Sequence, residues 1–74
     1  MEEIVVKSPI TGLVLEISVS LSEAVGPGDL LVVIESMKME NEILSEHEGT
    51  VKEIDVKENQ PVSEGQTILT IELS

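Results

Sequence analysis

Cysteine, arginine, phenylalanine, tyrosine and tryptophan are all missing from this 74-residue chain. Without cysteine there is no disulfide to staple the fold, and a single histidine provides no multi-histidine metal site. A chain this short hides only about 60% of the surface its unfolded form exposes, so it depends on a compact aliphatic core. Without aromatic rings there is no platform on which nucleic-acid bases could stack. Positive charge is scarce too: four lysines stand against fifteen acids, a formal net charge of −11. An acidic surface repels phosphate backbones and anionic headgroups, which disfavours nucleic-acid and membrane partners. Most of this charge reads as solubility, with docking on basic faces of larger enzymes as the sharper reading. No charged-then-apolar leader opens the chain, and no apolar run approaches the ~18 residues of a membrane span. With the lack of cysteine, these features lead us to expect a cytoplasmic protein.

What the chain has is short aliphatic runs between turn signals, which predicts one all-β domain over residues 1–74. Met1 to Lys7 centres on Ile4-Val5-Val6 and reads as a strand. Pro9 and Gly12 frame a turn, with Gly12 suited to positive φ or a close backbone approach. Ile17, Val19 and Leu21 then alternate with serines, the period of a half-buried strand. Gly26-Pro27-Gly28-Asp29 is a strong turn signal. Leu30 to Ile34 reads as a strand buried on both faces. Glu40 to Ser45, Thr50 to Val56 and Thr67 to Leu73 complete the set, with Val62 standing alone between two turns.

The halves repeat. Sliding Gly12–Glu35 onto Gly49–Glu72, an offset of 37, gives nine identities in 24 positions without a gap. Gly12 meets Gly49, Val14 meets Val51, Gly28 meets Gly65 and Glu35 meets Glu72. Most matches are apolar positions or turn glycines, the positions a shared backbone would fix. Two repeats are too few for a solenoid. They predict two similar four-stranded halves closing face to face about a pseudo-twofold axis. The equivalent of Lys38 then falls one past Ser74, so the pseudo-twofold places Lys38 and the termini at opposite poles.

Lys38 lies between Met37 and Met39, where two strand-like runs meet, so it is placed on a hairpin tip. The segment Glu35-Ser36-Met37-Lys38-Met39-Glu40 resembles the modification site of biotinyl domains, Ala-Met-Lys-Met preceded by Glu. The resemblance extends along the whole chain. Ser8-Pro9-Ile10-Thr11-Gly12 is similar to the family's Ala-Pro-x-x-Gly. Val25-Gly26-Pro27-Gly28-Asp29 is similar to its Val-x-x-Gly-(Gln or Asp), and Val62-Ser63-Glu64-Gly65-Gln66 repeats it.

Resemblance to the biotinyl/lipoyl family implies a flattened antiparallel barrel, or sandwich, of two four-stranded sheets. It implies covalent biotin on Lys38, with Glu35, Met37 and Met39 recognised by a biotin protein ligase. It also implies a carrier rather than an enzyme, whose biotin shuttles a carboxyl group between biotin carboxylase and carboxyltransferase sites. Methionine on both sides of the lysine points to biotin, because lipoyl domains usually carry Asp-Lys-Ala there. A lipoate carrier, or one accepting both groups, is the alternative, and an unmodified adaptor of the same fold is the third.

Three departures stand out. Ser36 replaces the usual Ala. Ser22 and Asn59 replace Gly, which leads us to expect a different turn near Ser22. Val19 to Val25 has no insertion, so the protruding thumb of some bacterial carriers is missing. Strand-like sequence from Glu3 to Leu73 leaves no flexible linker within these residues, which suits either a free-standing carrier or an excised domain.

Lysine brings an amine on a long flexible stem, but its protonated form cannot attack an acyl donor. Deprotonation is therefore assigned to the ligase, not to the acidic neighbours Glu35, Glu40 and Glu42. The bland alternatives are an ordinary surface lysine between core-filling methionines, and a Glu35 that serves the strand end as its twin Glu72 does. Glu40 and Asn41 are given no fixed role beyond a contact with the ligase. His47 is read as a solvent-exposed loop residue. Glu46 and Glu48 read as a solvated acidic turn, and Asp29 has no partners for a hydrolytic triad.

Overall fold

The computed structural model describes residues 2–74. These form eight strands: β1 Glu3–Lys7, β2 Gly12–Ile17, β3 Ala24–Val25, β4 Leu30–Ser36, β5 Met39–Leu44, β6 Gly49–Ile54, β7 Pro61–Val62 and β8 Thr67–Leu73. They build two four-stranded antiparallel sheets, ordered β1-β8-β6-β3 and β5-β4-β2-β7. The expected all-β sandwich of two four-stranded sheets is thus present. Met1, counted in the expected first strand, lies outside the described residues.

The 37-residue offset maps β2 onto β6, β3 onto β7 and β4 onto β8 residue for residue. It also carries the first sheet order onto the second. The sheets are not the sequence halves, however. Each sheet takes two strands from each half, because β1 pairs with β8 while β5 pairs with β4. The expected closure of two self-contained halves is therefore corrected to an interleaved pair. Interleaving gives β1 and β5 a ladder that neither half could supply alone.

The repeat is deeper in backbone geometry than in identity. The Asp29 carboxylate accepts from Gly26 N at 2.7 Å, and the Gln66 amide oxygen accepts from Ser63 N at 2.9 Å. Glu23 accepts from Ser20 N, and Gln60 accepts from Lys57 N. The Ser8 hydroxyl donates to Ile10 O, and the Ser45 hydroxyl donates to His47 O. Each pair is related by 37 residues; the first two keep one turn geometry with different side-chain acceptors of similar reach, and the third keeps the same serine hydroxyl.

Two further expectations are corrected. The strand read through Leu21 stops at Ile17, and Leu21 is exposed. After Ser18 donates to Leu31 O, the chain crosses to the other sheet, where Ser22 donates to Val51 O. Val19 stays buried from this crossing, and its twin Val56 does the same beyond the end of β6. Alternating burial thus outlasts ladder pairing. Ser22 also does not alter its turn: its φ of 71° matches the 69° of Asn59.

Four consecutive residues of β4, Leu31 to Ile34, are buried, as the unbroken aliphatic run implied. Leu31, Val32 and Ile34 share the core with Val14, Val51, Ile68 and Ile71. Gly12 and Gly49 sit where a Cβ would lie 2.3 Å from the carbonyl oxygens of Glu35 and Glu72, respectively. Only glycine lets those strands approach so closely. The molecule measures 36 × 19 × 17 Å. At one end lies the β4–β5 turn, beside Gly12, its partner Val62, and Thr11, whose hydroxyl accepts from Glu64 N. At the other end Leu73 N donates to Glu2 O, and Ser74 N donates to Glu48 O.

Candidate functional site

The β4–β5 ladder runs from Leu30 opposite Leu44 to Ser36 opposite Met39, leaving Met37 and Lys38 as a two-residue loop. Both have left-handed backbones, with φ of 54° and 64°. That is the pairing of a type I′ hairpin turn, usually written Asn-Gly. Here neither residue is glycine, and each left-handed residue costs roughly 1–2 kcal/mol. The flanking ladder offsets that cost. Asn41 reinforces it by donating from its side-chain amide to Ile34 O and Met39 O, both at 3.3 Å. Sequence reading gave Asn41 no structural role, because only the register places its amide over these two carbonyls.

The turn displays its side chains outward. Lys38 is exposed, as are Met37 at 91% and Met39 at 67%. Such exposure removes the core-filler reading of the methionines, since neither packs in the core. Lys38 makes no ion pair among the described residues. Glu35 is half-buried at the base of the turn, directly opposite exposed Glu40. Like charges so placed destabilise a ladder. A groove of about 380 Å³ runs between β1 and β5 past Val6, Ile43 and His47, and no residue of the turn lines it. The turn thus presents its lysine on an exposed surface.

The opposite pole carries the equivalent acidic pair, Glu3 opposite Glu72. There Lys52 forms an ion pair with Glu3. The hydrogen bond to Glu3 and its charge raise the Lys52 amine above the ordinary lysine value; desolvation opposes this, and Glu72 and Glu53 add lesser contributions in the raising direction. Lys52 corresponds to Leu15 in the repeat, so the Glu35–Glu40 pair has no such counter-ion on β2. Acidic residues at both poles are shared, but the lysine on a turn between two methionines belongs to one pole alone.

A family model described as biotin-requiring enzyme, biotin/lipoyl, matches residues 4–71. The chain belongs to this biotin/lipoyl family. It is 38% identical over 64 residues to the biotin carboxyl carrier protein of Streptococcus mutans, covering 86% of this chain and 49% of that protein. The chain thus spans about half the length of that relative. It is also 38% identical over 66 residues to the biotinylated protein TB7.3 homolog of Mycobacterium leprae, covering 89% and 93% of the two chains. Among solved structures, the lipoyl domain of the 2-oxoglutarate dehydrogenase complex from Azotobacter vinelandii superposes with a TM-score of 0.81. That match is 29% identical and covers 93% of this chain and 95% of the lipoyl domain. Biotin/lipoyl folds therefore serve two prosthetic groups, and the backbone alone does not choose between them.

Proposed function

We propose that this chain is a biotin carrier whose Lys38 is the attachment point. The observation that supports this best is the exposed Lys38, flanked by exposed Met37 and Met39 on a braced turn at the pole opposite the described termini. The donor chemistry fits: an exposed amine with no ion pair among the described residues is open to an activated acyl group. A biotin protein ligase supplies the biotinyl-adenylate and the base. The Lys38 amine then attacks the acyl carbon, the amide forms and AMP leaves. Met37 and Met39 offer that ligase apolar side chains, and Glu35 a carboxylate at the base of the turn.

When attached, biotin supplies the ureido nitrogen that carries a carboxyl group. The chain's own part is to present that nitrogen at a biotin carboxylase site and then at a carboxyltransferase site. Tethering raises the effective concentration at the second site. Among the described residues there is no cluster of His, Cys, Asp or Glu that could hold a metal. We assign this chain the role of carrier and ligase substrate, with the catalysis in its partners, because an exposed lysine on a turn is suited to carry a tethered group.

Lipoate is the second reading, favoured by the superposition on a lipoyl domain. Intact mass after incubation with a biotin ligase, or separately with a lipoate ligase, distinguishes the two. We expect one biotinyl addition to the wild type and none to Lys38→Ala. A lipoyl addition alone would replace biotin by lipoate in this proposal. A biotinyl addition that persists in Lys38→Ala would refute the site assignment.

A further inference from the structure

Oxidisable sulfur is concentrated at the tip. The chain has no cysteine, tyrosine or tryptophan, and its three methionines are Met1, Met37 and Met39. Met37 occupies the turn itself and is 91% exposed, while Met39 opens β5 and is 67% exposed. Neither has a buried position to retreat to, since both sit beyond the core on a turn fixed by its φ angles and by Asn41. At the opposite pole Ser74 stands at the equivalent of Met37. Among the described residues, oxidant-sensitive sulfur is therefore confined to the pole that carries Lys38.

We propose that Met37 and Met39 form a reversible oxidation site, and that their conversion to sulfoxides by hydrogen peroxide blocks loading of Lys38. The inference rests on the carrier reading above and adds regulation to it. In each step the thioether sulfur attacks one peroxide oxygen and the O–O bond breaks. An S=O bond forms, sulfur loses two electrons, and the second oxygen leaves as water. Each methionine gains one oxygen atom. The product is polar and chiral where the side chain was apolar. A ligase covering the turn would then bury an oxygen that its apolar contacts leave unpaired, which lowers the loading rate about tenfold or more. Because both side chains lie outside the core, the fold persists. Methionine sulfoxide reductases restore loading: a dithiol reductant gives up two electrons and two protons to become a disulfide, the sulfur returns to the thioether, and the oxygen leaves as water.

The test uses the full unmodified chain. It is treated with hydrogen peroxide, quenched with catalase, and its sulfoxides are located by peptide mapping. Initial biotinylation rates with ligase, biotin and ATP are read by intact mass before treatment, after it, and after incubation with both sulfoxide reductases and a dithiol reductant. The Met37→Leu/Met39→Leu double variant is carried through the same steps, and only its ratio of treated to untreated rates is compared. We expect a loss of about tenfold or more in the wild type, recovery after reduction, and a ratio of one in the double variant. Equal rates for oxidised and untreated wild type overturn the inference and leave the carrier reading intact. A ratio well below one in the double variant overturns it as well, because the damage then lies elsewhere. Loss of the cooperative thermal transition on oxidation would likewise overturn it. No biotin on the untreated wild type would instead refute the carrier reading, and the inference with it.

Discussion

Gly12 and Gly49 offer a matched pair of perturbations at opposite poles. An alanine Cβ at Gly12 would stand 2.3 Å from Glu35 O and 2.9 Å from Ile34 Cγ2. At Gly49 the corresponding distances are 2.3 Å to Glu72 O and 2.7 Å to Ile71 Cγ2. The main obstacle is backbone, which no rotamer change relieves, so a strand must shift. Overpacking of this kind costs about 2–3 kcal/mol, and the lower entropy of the unfolded alanine chain returns roughly 0.4–1 kcal/mol. The net loss of about 2 kcal/mol corresponds to a fall in Tm of roughly 8–16 °C for a domain of this size. Circular-dichroism melts and urea titrations at matched m-values measure it. Gly12→Ala and Gly49→Ala are expected to lose similar stability. Only Gly12→Ala, which displaces the base of the turn at Glu35, is expected to slow biotinylation at a temperature where both variants are folded. If Gly12→Ala melts with the wild type, the close approach does not constrain the strands. If Gly49→Ala slows loading equally, the effect is not local to the turn.

Three other outcomes are expected. Lys38→Gly relieves a left-handed residue and should raise stability by about 0.5–1 kcal/mol while abolishing modification; a melt and an intact mass on one sample separate the two effects. Asn41→Ala removes the amide that bridges β4 and β5, with a loss of about 1 kcal/mol and faster amide hydrogen exchange at the turn than elsewhere. Lys52→Met should lower Tm slightly at neutral pH. Because the Glu3 carboxylate raises the Lys52 pKa on folding, its contribution is full below the unfolded lysine value of about 10.4 and fades as pH rises through the higher folded value. The Tm gap between wild type and variant should therefore close at strongly alkaline pH, and a gap that widens there would refute the pairing.

Much of the site was legible because its signals are local. The aliphatic run from Leu30, the break at Ser36 and the return at Glu40 place Lys38 on a turn without any tertiary information. The flanking methionines were readable as display residues only through their setting beside a lysine. Their exposure, the left-handed turn and the Asn41 brace depend on register, which no single segment records. Ser22 is the instructive miss. A small polar residue in place of glycine suggested a changed turn, yet the hydrogen bonds on either side of the turn hold its backbone to the shape of its Asn59 twin.

The sequence by itself determined the longer strands, the 37-residue repeat and the lysine at the tip. These follow from periodicity and from residue types that tolerate few backbone states. Only the tertiary structure decided that the halves interleave, because ladder partners such as Glu3 and Glu72 are distant in the chain and similar in kind to their alternatives. It also decided that Lys52 reaches Glu3, a contact between residues 49 apart in the chain that no single segment records.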